Sequence, residues 1–274
     1  MTTGPVRATC EWLRLREPAD AAARALELVD EVRSYLPAHG GVTIHDLGCG
    51  TGSMARWLAV RLSGPQHWVM CDRDDELLAL AAADPPDRAF DGAPVTTETR
   101  RRDVTRMELA GLADAGLITA SALLDTMTTE ELERLVATCA GADCPVLIAL
   151  SVTGRVEMTP AEPFDQHVTD AFNAHQRRTT SAGTLLGPEA VGTAVDGFTR
   201  LGLEVVVRPS PWRLGADRAA LATTWFTGWL AAACEQQPEL AAHAPSYARR
   251  RLAEASAGQL SVTVHHQDLL VRPR

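Results

Sequence analysis

Apolar positions along the chain fall into two alternating periods. Val42, Ile44 and Leu47 mark a short buried strand, and from Ser53 to Leu62 the spacing turns helical through Met54, Leu58, Arg61 and Leu62. His67 to Cys71 is a near-continuous apolar run ending in Asp72, the pattern of a central parallel strand covered on both faces. Val95–Arg101, Leu117–Leu124, Val146–Val152 and Leu203–Val207 read as four further strands, and Leu260–Val271 as an antiparallel seventh that closes the chain. Helical spacing separates them, notably over Thr128–Ala140 and Pro188–Leu201. Alternating strands and helices predict an α/β domain.

Three segments do not fit that alternation. Residues 1–41 predict a leading helical segment, with Trp12, Leu13 and Leu15 among charged neighbours, then a helix through Leu26, Val29, Val32 and Leu36 that Pro37 and Gly40-Gly41 stop. Residues 154–186 are too long for a strand-to-helix loop and hold a predicted helix over Asp165–Arg178. Residues 209–258 are mostly helical in pattern, divided by Pro238 and Pro245. Their stripe Trp225, Phe226, Trp229 and Leu230 reads as core packing or a homodimer contact before a substrate box. The expected organisation is a core of 42–153 and 187–271, with 154–186 as a lid insertion and 209–258 as a helical insertion before the last strand.

The stretch Val42 to Gly52 reads Val-Thr-Ile-His-Asp-Leu-Gly-Cys-Gly-Thr-Gly. Glycines at 48, 50 and 52 remove the Cβ atoms that would hold a ligand off the backbone, and they permit positive φ. This strand, turn and helix can therefore seat a ligand against bare main chain. A dinucleotide fingerprint has the spacing G-x-G-x-x-G, whereas here Ser53 stands where the third glycine would fall. A nicotinamide-dependent oxidoreductase is thereby the less favoured reading. The string Asp46-Leu-Gly-Cys-Gly-Thr-Gly52 resembles the first motif of the class I S-adenosylmethionine-dependent methyltransferases, in which the turn holds the methionine end of the cofactor.

The resemblance implies a Rossmann-like, doubly wound, seven-stranded sheet, mostly parallel with an antiparallel last strand, carrying helical cap insertions. It implies S-adenosylmethionine as cofactor, with contacts from Asp46, Gly48, Cys49 and Gly50 in the turn and from Asp72 and Arg73 after the second strand. Asp72 matches the acidic second motif, and one carboxylate there can accept from both ribose hydroxyls. By the same resemblance Asp103 and Val104, after the third strand, meet the adenine; a solvent-facing loop carboxylate is the equal alternative for Asp103. The leading segment would lie over the cofactor, with Arg16 at its carboxylate, unless Arg16 is a solvated arginine on a packing helix. A noncatalytic member of the same fold, binding cofactor or a partner protein, is the other alternative.

Two residues are candidates for acceptor chemistry. Asp125 is delivered to the C-terminal end of the fourth strand, where ligands of doubly wound sheets sit, though a loop aspartate before the next helix would look the same. His167 is a candidate general base on the 165–178 helix, eight residues from His175 and near its face; polar surface is the competing reading. Neither Pro nor an aromatic follows Asp125, so amino-group methylation of nucleobases loses support. Thr153-Gly154 after the fifth strand replaces the Asp-Asn pair of catechol-type methyltransferases, and His265 and His266 alternate across their strand, so no metal site is expected.

Composition narrows the partners. The net charge of −9 argues against general binding of nucleic acid or a membrane surface, although Arg100-Arg101-Arg102 is a local basic patch. All 26 cationic residues are arginine, which removes Walker-type, Schiff-base and Tyr-Lys chemistry. Six cysteines without a C-x-x-C pair read as reduced thiols of a cytoplasmic protein, and no segment approaches 18 consecutive apolar residues. The expected function is metal-independent methylation of a small molecule, with oxygen the favoured acceptor.

Overall fold

A computed structural model describes residues 8–37 and 40–274; residues 1–7 and 38–39 of the predicted leading segment lie outside the described residues. The chain begins with helices α1 (Cys10–Ala23) and α2 (Leu26–Tyr35). It then alternates through β1 (Val42–Leu47), α3 (Ser53–Ala59), β2 (Gln66–Asp72), α4 (Asp75–Ala83), β3 (Val95–Arg101), β4 (Leu117–Ser121), α5 (Thr129–Gly141) and β5 (Val146–Thr159). Helix α6 (Phe164–Gln176) follows, then a hairpin of β6 (Thr179–Thr180) and β7 (Gly183–Thr184), α7 (Ala190–Arg200), β8 (Val205–Pro209) and β9 (Trp212–Leu214). Helices α8 (Ala219–Gln236) and α9 (Ala244–Ser256) precede β10 (Ser261–Val271).

Seven strands run in the order β3-β2-β1-β4-β5-β10-β8, and β9 adds an eighth beside β10. The first five pair in parallel, and β10 is antiparallel to β5, β8 and β9. Strand order reverses between β1 and β4, which opens a crevice at their C-terminal ends. Helices α2, α3 and α4 cover one face of the sheet, and α5 and α7 cover the other. Local chemistry starts several of these helices. The Thr128 hydroxyl accepts from the Glu131 amide at 3.3 Å while the Glu131 carboxylate accepts from the Thr128 amide at 3.0 Å, a capping box on α5. Asp74 caps α4 through the Glu76 amide at 3.0 Å.

The structure departs from the expected organisation in the second half. β5 does not end at Val152 but continues to Thr159, paired with β10 along its length except at two register shifts. This long ribbon, widened by β9, carries α6, α8 and α9 around a third apolar cluster that includes Trp212, Phe226 and Trp229. The segments 154–186 and 209–258 therefore build one cap on an extension of the sheet. The aromatic stripe of α8 is buried within it. Proline at 209 and 211 ends β8, but the edge resumes at once in β9, because the Ser210 amide still donates to the His266 carbonyl at 2.9 Å.

Candidate active site

The glycine turn lies where β1 hands over to α3. Gly48, Gly50 and Gly52 have φ of +68°, +56° and +84°. At Gly48 a Cβ would also stand 3.0 Å from a Leu123 methyl carbon, so two constraints demand glycine there. The turn is stitched to the next strand: the Cys49 amide donates to the Cys71 carbonyl and the Gly50 amide to Asp72 Oδ2, both at 2.9 Å. Asp72 Oδ1 accepts from the Asp74 amide at 3.0 Å, so this carboxylate is fixed in orientation with lone pairs left over.

A crevice of about 420 Å³ opens over the turn, within the range of small-ligand sites. Arg16, Asp46, Gly48, Cys49, Gly50, Asp72, Arg73, Asp103 and Val104 all line it, so the structure brings every expected cofactor residue to one place. Asp103 Oδ1 is engaged by the Thr105 amide at 3.1 Å and hydroxyl at 2.7 Å, which holds the loop after β3. Asp46 is 1% exposed; Thr119 donates to its Oδ1 at 2.8 Å, and its Oδ2 has no partner. Burial pushes its carboxyl up to about 6, against the Thr119 hydrogen bond and the field of Arg24.

Sequence reasoning placed the leading segment over the cofactor and a lid at 154–186, but named no wall residue there beyond Arg16. Leu13 from α1, and Thr180, Ser181 and Ala182 from the β6–β7 hairpin, line the crevice opposite the turn. Arg24, 3% exposed, supports its floor by donating to Ser53 Oγ and Ser121 Oγ, both at 3.2 Å. Asp268 accepts from the Ala25 amide at 2.8 Å and the Leu150 amide at 2.7 Å, clamping the α1–α2 junction to β5 and β10.

A second cavity of about 170 Å³ adjoins the crevice, and Arg16 and Ala122 line both. Trp12, Phe172, Trp212 and Trp225 form its aromatic walls; β4 ends at Ser121 and not at Leu124, and Asp125 lines the cavity from the helical turn Leu124–Thr126 that follows. Desolvation raises the Asp125 carboxyl above the ordinary carboxylate range, with Arg16 and Arg178 opposing. Ala122 and Leu150, both at the cavity, have φ of +52° and +57°, left-handed conformations that side-chain-bearing residues rarely take and that concentrate at functional sites. Arg16 donates from Nε to Asp20 at 2.9 Å and lies 4.8 Å from the Trp212 ring centre, and the Trp212 indole N–H also donates to Asp20 at 2.9 Å.

Three expectations change here. His167 does not join Asp125: it is exposed, stacks on Phe164 and faces a separate groove with His243, while Phe172, Asn173 and Gln176 of the same helix face the cavity. Eight residues of helix bring His167 and His175 toward one face, but that face is not the one turned to the sheet's C-terminal edge. His265 and His266 do not face apart in effect. Burial still alternates along β10 here, but β5 advances four residues, Val156 back to Val152, against two from Val264 to His266, and both histidines line the cavity. Trp225 belongs to the core stripe and to the cavity wall at once. Among the described residues no group of three or more His, Cys, Asp or Glu is placed to hold a metal.

Residues 44–142, which contain the turn, Asp72, Asp103 and Asp125, match the model of a methyltransferase domain family. By this match the chain carries a methyltransferase domain over those residues, and the fold around it is the Rossmann-like fold of methyltransferases. S-adenosylmethionine is the cofactor of this family, and the methyltransferase crevice fits it: the unpartnered, buried Asp46 Oδ2 suits an ammonium group, and Asp72 suits a ribose. In fold the chain is similar to the cyclopropane synthase MmaA2 from Mycobacterium tuberculosis, at 13% identity and TM-score 0.51 over 96% of this chain and 94% of that one. It is equally similar to the mycolic acid cyclopropane synthase CmaA1, whose structure was determined with SAH and CTAB, at 13% identity and TM-score 0.52 over the same shares. No curated protein matches the chain.

Proposed function

We propose that this methyltransferase transfers a methyl group to the oxygen of a small molecule without a metal ion. The observation that carries the reading is the second cavity, which meets the cofactor crevice at Arg16 and Ala122 and contains one half-buried carboxylate, Asp125. When bound, the cofactor supplies an electrophilic methyl group on a sulfonium. The protein's share of the work is placement. Asp46 holds the ammonium end, Asp72 the ribose, and α1 with the β6–β7 hairpin walls the crevice. Fixing an acceptor oxygen in line is worth up to about 7–11 kcal/mol by effective-molarity estimates. Asp125, made more basic by desolvation, takes the acceptor's proton, a contribution of roughly 10²–10⁴-fold.

The test is acceptor-dependent formation of S-adenosylhomocysteine, read by mass spectrometry across a panel of small hydroxylated compounds. Asp125→Asn is expected to lower kcat by roughly 10²-fold or more while leaving S-adenosylhomocysteine affinity within about twofold. Cofactor binding with no turnover on any acceptor would favour the noncatalytic alternative.

A further inference from the structure

We propose that the second cavity accepts a single-ring, uncharged phenol that carries a second N–H or O–H donor. This rests on the reading of that cavity as the acceptor site, and it follows from size, charge and the wall's unused hydrogen-bonding capacity. The volume of about 170 Å³ is close to the roughly 150 Å³ of an apolar cavity that holds benzene. Four aromatic side chains, Trp12, Phe172, Trp212 and Trp225, line it and give a planar ligand apolar, polarisable walls.

The cationic groups of the wall already have carboxylate partners. Arg16 is held by Asp20, and Arg155 pairs with Glu157, so a carboxylate on the acceptor would compete with both. A cationic acceptor fares no better. Arg16 lies over the Trp212 ring at 4.8 Å and over Trp12 at 5.9 Å, taking the faces that would bind a second cation and repelling it.

Hydrogen-bonding capacity remains: two amide oxygens that can only accept, and imidazole nitrogens of His265 and His266 that accept or donate with tautomer. Asn173 Nδ2 donates to the Gly154 carbonyl at 2.8 Å, which fixes the amide and leaves Oδ1 buried without a partner. Gln176, one turn further along α6, has a buried, unpartnered Oε1. His266 is 4% exposed, its Nδ1 has no partner, and burial beside Arg16 pushes its pKa down to about 3, so the ring is neutral. Buried acceptors without donors are costly, and a second O–H or N–H on the ring supplies one. In the transfer, the phenolic oxygen bonds to the methyl carbon as the carbon–sulfur bond breaks. The electron pair of that bond stays on sulfur as a thioether, and the hydroxyl proton goes to Asp125.

The experiment is calorimetric titration of the full chain, saturated with S-adenosylhomocysteine, by resorcinol, phenol, 3-hydroxybenzoate and cyclohexane-1,3-diol. Resorcinol is expected to bind at least tenfold more tightly than the saturated diol and the benzoate, and several-fold more tightly than phenol. Gln176→Leu is expected to erase most of the resorcinol-over-phenol preference at unchanged S-adenosylhomocysteine affinity. Equal binding of resorcinol and the saturated diol, or tighter binding of the benzoate, overturns the proposal, and the ligand series decides this on the unaltered protein. Failure of S-adenosylhomocysteine itself to bind would instead strike the reading beneath it.

Discussion

At the scale of single residues, Asp46 combines burial with an unmet valence. Its carboxyl is pushed up to about 6 while Oδ2 faces no donor, an arrangement that a bound ammonium group would relieve. The binding form is the ionised one, so affinity for S-adenosylhomocysteine is expected to weaken about tenfold from pH 7 to pH 5. Calorimetry across that range checks it, and Asp46→Asn should flatten the profile while weakening binding at pH 7. The sign for folding is opposite. A raised carboxyl favours the folded state below the ordinary carboxylate pKa, and that contribution disappears as pH rises through about 6, unless a cation occupies the site. Asp72 differs, since backbone amides of Gly50 and Asp74 already hold it. Asp72→Ala should cost roughly 1.5–3 kcal/mol of cofactor binding, and an unchanged dissociation constant would remove it from the site.

At the scale of elements, the division between what the chain announces and what it hides has a physical cause. The β1–turn–α3 unit was legible because three close-spaced glycines, an acid before them and an acid at the next strand end are all local requirements, and each residue type admits few substitutes. The reach of β5 to Thr159, the register shift beside His266, and the edge strand β9 depend on what pairs with them from 48 or more residues away. Alternation read along one strand does not reveal what packs beside it, and so it gave no sign of the cavity that both histidines line. Trp12 and Trp212 carried a partial signal: an aromatic four residues before Arg16 and another just after Pro211 stand outside every strand of the parallel sheet. Nothing local marked Asn173 or Gln176. Asp268 shows how such long-range pairing is locked, because its two oxygens satisfy buried amides from two other elements. Asp268→Ala is expected to lower unfolding free energy by about 2–6 kcal/mol, from two orphaned amides at roughly 1–3 kcal/mol each. Urea unfolding measures it, and a loss under about 1 kcal/mol would mean that water replaces the carboxylate there.

At the scale of the whole molecule, the crevice is walled by parts of the chain that otherwise have separate cores. The turn and strand ends belong to the sheet clusters, whereas α1 packs through Ala19 into the cap cluster and the β6–β7 hairpin follows the cap helix α6. Helix α1 is the strap between them: Glu17 pairs with Arg56 of α3 at 2.7 Å, and Asp20 accepts from Trp212 of the cap ribbon at 2.9 Å. A ligand that touches both sides therefore opposes unfolding of both. S-adenosylhomocysteine at 100 times its dissociation constant should add about 2.7 kcal/mol, a rise in melting temperature of roughly 5–10 °C for a chain near this size. NAD at the same concentration should leave the melting temperature unchanged, because the turn lacks the third glycine of a pyrophosphate cradle. Asp20→Ala separates strap from cap. It is expected to lower the melting temperature of the free protein and to split the transition, with the sheet portion alone responding to S-adenosylhomocysteine. A single transition that still shifts as a unit would show that the cap and the sheet communicate through the β5–β10 ribbon instead.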